Sequence, residues 1–231
     1  MSSFLIIDAE NLKISEEELL ILLSYFPKIE KILIYCDMEK NNILQHYQDW
    51  CLKYPCFMIH VPSLGGKNSV DLQISLDVME YCLAKKKEIL HFIMASHDRD
   101  FFPLFAKLKF YGKSVSLVVH KEPAFYPLDL VQECLVLKDI PLLVKNVMKC
   151  FLLERDRTLS ISKIKKNLKK LNLKKNVRVH DFQNLSLSLQ ELACPIPAPH
   201  IFNLDQPGQI SLIFPLADAQ VLRANGFFEP I

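Results

Sequence analysis

HFIMASHDRDF, residues 91–101, decides how this chain is to be read. Five apolar or β-forming residues run into Ser96, His97, Asp98, Arg99 and Asp100, and DFFPLFAKLKFYG (100–112) follows with a helical pattern closing on Gly112. A carboxylate placed directly after a strand lies at the strand's C-terminal mouth, where an open α/β sheet places its ligands. The same arrangement occurs at FLIIDAEN (4–11), which ends its apolar run in Asp8, and a third acid, Asp71, follows in GGKNSVDLQISLD (65–77). Converging acids would form a pocket of oxygen ligands suited to a hard divalent cation such as Mg²⁺.

Outward from these stretches, β-type runs alternate with amphipathic ones. FLIID (4–8), KILIYCD (31–37), FMIHVP (57–62), HFIMAS (91–96), SVSLVV (114–119) and CLVLKD (134–139) read as strands. SEEELLILLSYF (15–26), with Ser15 and Glu18 as a capping box, NNILQHYQDWCLKY (41–54), SVDLQISLDVMEYCLAKK (69–86) and DFFPLFAKLKFYG read as helices. The alternation predicts an α/β fold with a largely parallel sheet and helices on both faces. After Lys138 it ceases: IPLLVKNVMKCFLLE (140–154), SISKIKKNLKKLNL (160–173) and HDFQNLSLSLQEL (180–192) read as three helices with no strand between them. The proline-rich CPIPAPHIF (194–202) and the turn QPGQ (206–209) then lead to a strand at ISLIF (210–214). Domains at 1–138 and 139–231 are expected, the second a small winged-helix-like arrangement.

Charge divides in the same place. The net charge is +2, but residues 1–138 carry 15 basic and 18 acidic side chains, against 13 and 8 in 139–231. An acidic centre beside a basic appendage suits an enzyme acting on a polyanion. No apolar stretch is long enough for a membrane helix and MSSFLIIDAEN is unlike a signal peptide, so a soluble, cytoplasmic protein is expected. The seven cysteines are odd in number and lie mostly in apolar runs, as buried free thiols do in a reducing compartment. Cys51 and Cys56, with His46 and His60 nearby, lack finger-like zinc spacing.

Each acid also has a plain structural reading. Asp8 and Asn11 can form an Asx turn, Asp71 suits a first helical turn, and Asp98 or Asp100 can cap a helix. Asp77 lies about 240° around the helix from Asp71, as a supporting or surface acid. Lys67 and Arg99 are candidate phosphate-seeking cations, Ser96 can donate to a carboxylate, and His97 reads as a solvent-facing turn residue.

Taken in order, IIDAEN, KNSVDLQISLD and SHDRDFFPLFAKLKFYGKSV resemble the NYN family of PIN-like nucleases over residues 4–120. Its pattern is a strand-ending Asp with Asn three on, a Lys-x-x-Asp helix start with a further Asp, then Ser-x-Asp-x-Asp-Phe and a Gly-Lys-x-Val strand. The resemblance implies a sheet of order 3-2-1-4-5 and metal-dependent hydrolysis of RNA. It also implies Asp8, Asp71 and Asp98 as Mg²⁺ or Mn²⁺ ligands, Asp100 as a fourth acid and Asn11 as a positioning group. Ala9 and His97 stand where the family often has glycine; His97 would narrow the pocket or reset the substrate.

In the second half, KIKKNLKKLNLKKNVR (163–178) carries Lys163, Lys165, Lys166, Lys169, Lys170, Lys174, Lys175 and Arg178. With Ile161, Ile164, Leu168 and Leu171 turned inward, the lysines would line a phosphate-neutralising face, or simply a solvated one. NYN domains are often joined to OST-HTH (LOTUS) modules, which the three-helix plan resembles faintly. Two functions follow: a ribonuclease acting on single-stranded or structured RNA, with DNA and homodimerisation left open, or a non-catalytic nucleic-acid- or partner-binding regulator that keeps the fold.

Overall fold

The computed structural model describes residues 2–26, 28–39, 43–62, 68–84, 89–121, 128–155, 158–171, 202–204 and 209–212. Lys67, Lys174, Lys175, Arg178, the expected helix at 180–192 and most of the proline-rich stretch lie outside the described residues.

Six strands form one parallel sheet: β1 (Ser2–Asp8), β2 (Ile29–Cys36), β3 (Cys56–His60), β4 (Ile89–Ala95), β5 (Ser114–Val119) and β6 (Glu133–Val136). Their order is β3-β2-β1-β4-β5-β6, so the sheet winds one way from β1 to β3 and the other way from β4 to β6. The 3-2-1-4-5 order is present, with β6 added at the edge. The reversal between β1 and β4 is a topological switch point, the crevice where such sheets bind ligands. Residues Ser3 to Asp8 of β1 are all buried. Central parallel strands are covered on both faces, which is why FLIID reads as an unbroken apolar run instead of an alternating one.

The helices are α1 (Glu16–Tyr25), α2 (Ile43–Tyr47), α3 (Trp50–Lys53), α4 (Ser69–Ala84) and α5 (Phe102–Phe110), the last led in by a 3-10 turn at Arg99–Phe101. Ile74 and Val78 of α4 and Phe105 and Leu108 of α5 pack with Phe4, Ile6, Leu33, Phe92 and Met94 of the strands in one core. NNILQHYQDWCLKY departs from the expected single helix and breaks at Gln48–Asp49. The rings of Tyr47 and Trp50, both buried, meet edge to face at 4.6 Å, and the Tyr47 hydroxyl accepts from the Ile14 amide at 3.0 Å. Packing these rings inward overrides the modest helical propensity of the segment. CLVLKD likewise is a strand only to Val136 and then a 3-10 turn at Leu137–Asp139.

The chain divides into two compact units, of which the sheet, α2–α5 and the loops at 9–14 form the first. The second holds Ser15–Pro27 and the chain from Leu137 to Leu216, so α1 belongs with the C-terminal helices. These include α6 (Leu142–Glu154) and α7 (Ile161–Lys170). The Ser15–Glu18 capping box is present, and Glu18 and Glu17 of α1 pair with Lys145 and Lys149 of α6 at 2.7 and 3.0 Å. One expectation is corrected here: a short strand, β7 (Thr158–Ser160), does lie between α6 and α7. It pairs antiparallel with β9 (Gln209–Leu212), which also pairs with β8 (Phe202–Asn203), giving the order β7-β9-β8. Leu159, flanked by exposed Thr158 and half-buried Ser160, is buried in that strand, and so short a signal is not separable from a helix cap by periodicity.

Candidate acidic site at the strand ends

Asp8 is the last residue of β1, and its side chain is fully buried. In register, Ile7 lies beside Ala95, the last residue of β4, so the next residue, Ser96, reaches Asp8. Ser96 Oγ donates to Asp8 Oδ2 at 2.8 Å, and Asn11 Nδ2 donates to the same oxygen at 2.7 Å. Asp8 Oδ1 receives a longer contact, 3.4 Å, from the Asn11 amide. The Asx-turn reading of Asp8 and Asn11 is therefore realised, and it leaves Oδ1 the more available oxygen for a ligand.

Ser96 ties a second acid to the first. Its Oγ accepts from the Asp98 amide at 3.0 Å, while Asp98 Oδ1 accepts from the Asp100 amide at 2.8 Å and caps the turn leading into α5. Asp98 is half-buried; Arg99 and Asp100 are exposed on the same turn. Burial raises the Asp8 carboxyl above the usual range against the hydrogen bonds from Asn11 and Ser96, and the charge of Asp98 raises it further.

Asp71, in the first turn of α4, completes the group. Partial burial, and then the charges of Asp8, Asp98, Asp100 and Glu10, push its carboxyl up to about 6. Asp71 is thus acted on by Asp8, Asp98 and Asp100, and Asp8 by Asp98, across three separate segments. Asp77 is directed elsewhere, accepting from Tyr35 Oη at 2.9 Å and Gln73 Nε2 at 2.7 Å, and does not figure among the charges acting on Asp71.

Two further acids belong to this end of the sheet. Glu10 acts on Asp71 and accepts from the Asp37 amide at 3.1 Å; Asp37, just past β2, is buried. KILIYCD ends in an acid as FLIID does, so the rule that singled out Asp8 also marks Asp37. His97 turns toward the end of β5: its Nε2 accepts from the His120 amide at 3.2 Å and the two rings stack at 6.0 Å. His120 in turn contacts the Lys13 carbonyl at 2.9 Å, linking the SHDRD turn to the loop after β1.

Among the described residues, no three Asp, Glu, His or Cys side chains are drawn together as a ready metal-ligand set. The donor chemistry nevertheless fits a hard cation, since the grouped side chains offer carboxylate oxygens alone and their mutual repulsion is what a cation would relieve.

On α7, Ile164 and Leu168 are fully buried, while Lys163, Lys166, Lys169 and Lys170 are exposed and Lys165 is half-buried. Lys163 pairs with Glu154 at 2.9 Å. Among the described residues no helix is long and apolar enough to cross a membrane.

No match was found among curated proteins. Among solved structures, the chain is similar in fold to a protein of unknown function, VPA0982, from Vibrio parahaemolyticus RIMD 2210633, with a TM-score of 0.50 and 14% identity. That likeness covers 60% of this chain and 93% of the other. The profile of the NYN domain matches residues 3–137, the span that holds Asp8, Glu10, Asp37, Asp71, Asp98 and Asp100. The acids gathered at the switch point are carried by a chain that belongs to the NYN domain family.

Proposed function

We propose that this protein is a metal-dependent ribonuclease that hydrolyses RNA phosphodiester bonds at the acidic site, with the basic second unit holding the RNA. The observation that carries the reading is that Asp8, ending β1, and Asp98, just past β4, are joined through the Ser96 hydroxyl at the switch point, with the Asp71 carboxyl raised by burial and then by the charges of Asp8, Asp98, Asp100 and Glu10. Asp8, Asp71 and Asp98, with Asp100 as a fourth acid, would hold Mg²⁺ or Mn²⁺. When bound, such a cation supplies Lewis-acid stabilisation of phosphoryl charge and makes water a nucleophile near neutral pH. The chain's own residues do the rest. Ser96 and Asn11 fix the Asp8 carboxylate by donating to Oδ2, which leaves Oδ1 for the ligand. Ser96 also holds the Asp98 backbone, so a single hydroxyl sets the spacing of two acids. Arg99, exposed on the same turn, would meet phosphate, and Lys67 would add a second cation.

For the second unit, the succession α6, β7, α7 and a late β8–β9 hairpin in sheet order β7-β9-β8 supports a winged-helix reading. Lys163, Lys165, Lys166, Lys169 and Lys170, with Lys174, Lys175 and Arg178 beyond, would neutralise RNA phosphates without reading sequence. A second reading, a nucleic-acid-binding regulator that retains the fold, is favoured by one observation. Asp8 Oδ2 and Asp98 Oδ1 are already engaged by donors from within the chain.

Cleavage of labelled single-stranded and structured RNA with Mn²⁺, Mg²⁺ or EDTA, beside Asp98→Asn, separates the two. The Asn amide oxygen can keep the cap to the Asp100 amide, so the variant tests charge and not folding. Metal-dependent cutting lost in the variant is expected; undiminished cutting by Asp98→Asn would refute the assignment. Salt-sensitive RNA binding with no cutting by either protein would favour the regulator.

A further inference from the structure

Beside the acids, two imidazoles are held in a fixed arrangement. His97 is exposed and stands between Ser96, which donates to Asp8, and Asp98. His120 is the first residue past β5 and is half-buried. The ring centroids lie 6.0 Å apart with 29° between the planes, an offset and nearly parallel stack. Each ring is anchored to backbone through Nε2: that of His97 accepts from the His120 amide at 3.2 Å, and that of His120 donates to the Lys13 carbonyl at 2.9 Å. Neither ring can turn without losing its bond. Lys13, whose carbonyl holds His120, and Lys121, which follows His120, are both exposed. Joining β4 to β5 does not require the stack, because the strands are already paired from His91 with Ser114 through Ala95 with Val118. A contact made for packing gains by being covered, whereas His97 is open to solvent.

We propose that the His97–His120 stack is a platform for an unpaired nucleobase of the RNA strand held at the acids, which makes single-stranded RNA, not duplex, the substrate of that site. This rests on the reading of the acids as a ribonuclease centre. A base laid on the exposed His97 ring continues a stack already two rings deep, and because both rings are fixed beforehand, little side-chain freedom is lost on binding. Stacking uses a π-face that every base has, so the platform selects for an unpaired base and not for sequence. In a duplex those faces are covered by neighbouring bases, and a base must be extruded before it can stack on protein. A polyanion approaching a group of carboxylates needs cations at its flank, and Lys13 and Lys121 supply them beside the platform. His97 directly precedes Asp98, so the nucleotide it holds adjoins the phosphate at the acids.

The test measures binding of the full chain in EDTA, by fluorescence anisotropy, to a labelled single-stranded RNA and to a blunt duplex of the same sequence. Two substitutions separate stacking from a structural tie. His97→Gln keeps an acceptor for the His120 amide but has no ring, and His97→Phe keeps a ring but has no acceptor. His97→Gln should weaken single-strand binding by about five- to a hundredfold and leave duplex binding unchanged, while His97→Phe should stay near wild type. Replacing Lys13 and Lys121 together by Gln should lower the salt slope by about 1.4, at roughly 0.7 per phosphate, and His97→Gln should not move it. Wild-type affinity in His97→Gln, an equal loss on the duplex, rescue by Gln but not by Phe, or no RNA binding by wild type would each overturn the proposal. Should His97→Gln not fold, judged by circular dichroism, His97→Ala takes its place. Cutting with Mn²⁺ is scored separately. Metal-dependent cutting with binding indifferent to His97 would refute the platform and keep the nuclease; ring-dependent single-strand binding without cutting would keep the platform and refute the nuclease.

Discussion

Asp71→Asn tests whether the acids are electrostatically coupled, because it removes the charge on which the other acids act. In the folded protein without metal, the Asp71 carboxyl is pushed up to about 6, first by burial and then by Asp8, Asp98, Asp100 and Glu10. A carboxyl whose value rises on folding destabilises the folded state when ionised. The penalty is absent below the unfolded value, near 4, and complete above the folded one. A rise of roughly two units at about 1.4 kcal/mol each sets a ceiling near 3 kcal/mol. The side chain is substantially solvated, so screening brings this to about 1 kcal/mol. In EDTA at pH 7.5, Asp71→Asn should therefore be more stable than wild type by about 1 kcal/mol, or about 2–4 °C in melting temperature for a chain of this size. Below about pH 3, where both states are protonated, the difference should vanish. Mn²⁺ should reverse the order, since a ligand bound only by the folded state adds about 2.7 kcal/mol at a hundred times its Kd and the variant lacks one ligand. Urea and thermal unfolding in these three conditions suffice. A variant less stable than wild type in EDTA at pH 7.5, or a gain that persists below about pH 3, would refute the coupling. A melting temperature unmoved by Mn²⁺ in wild type would leave the acids coupled but remove the metal assignment.

Two predictions concern the second unit. Glu18 is held below its usual range by Lys145 and the Ser15 cap, which outweigh its burial. Its contribution should be complete above the unfolded carboxylate value and lost as pH falls through the lowered folded one. Glu18→Gln should accordingly lower the urea midpoint at pH 7 and match wild type in strong acid; a gap of equal size at both pH values would contradict the ion pair. Replacing Lys165, Lys166, Lys169 and Lys170 together by Gln should flatten the salt dependence of RNA binding. The slope should fall by about 3 if each lysine meets a phosphate of a single strand, at roughly 0.7 per contact. An unchanged slope would make α7 a solvated face only.

Much of the first unit was legible because its signals are local. A run such as FLIID is apolar without alternation because it is covered on both sides, and an acid after such a run must lie at the strand mouth whatever the strand's neighbours are. The same logic covers Asp37, which ends the run KILIYCD. Asp77 shows the limit: helical spacing placed it away from Asp71, but not against Tyr35, which is 42 residues distant in sequence. The break between α2 and α3 was not legible for a related reason, since the hydroxyl of Tyr47 answers to Ile14, 33 residues away.

By itself, then, the sequence determined the succession of strands and helices through residue 136, apart from the break between α2 and α3, and which acids end strands. Periodicity and capping act over a few residues and are written in the chain. Tertiary structure alone decided which oxygens those acids keep free. Ser96 reaches Asp8 across 88 residues because β4 pairs with β1, Asp71 feels four other acids because α4 begins near them, and α1 joins α6 through Glu18 and Lys145. Such contacts depend on strand order and helix packing, long-range choices that no local spacing encodes.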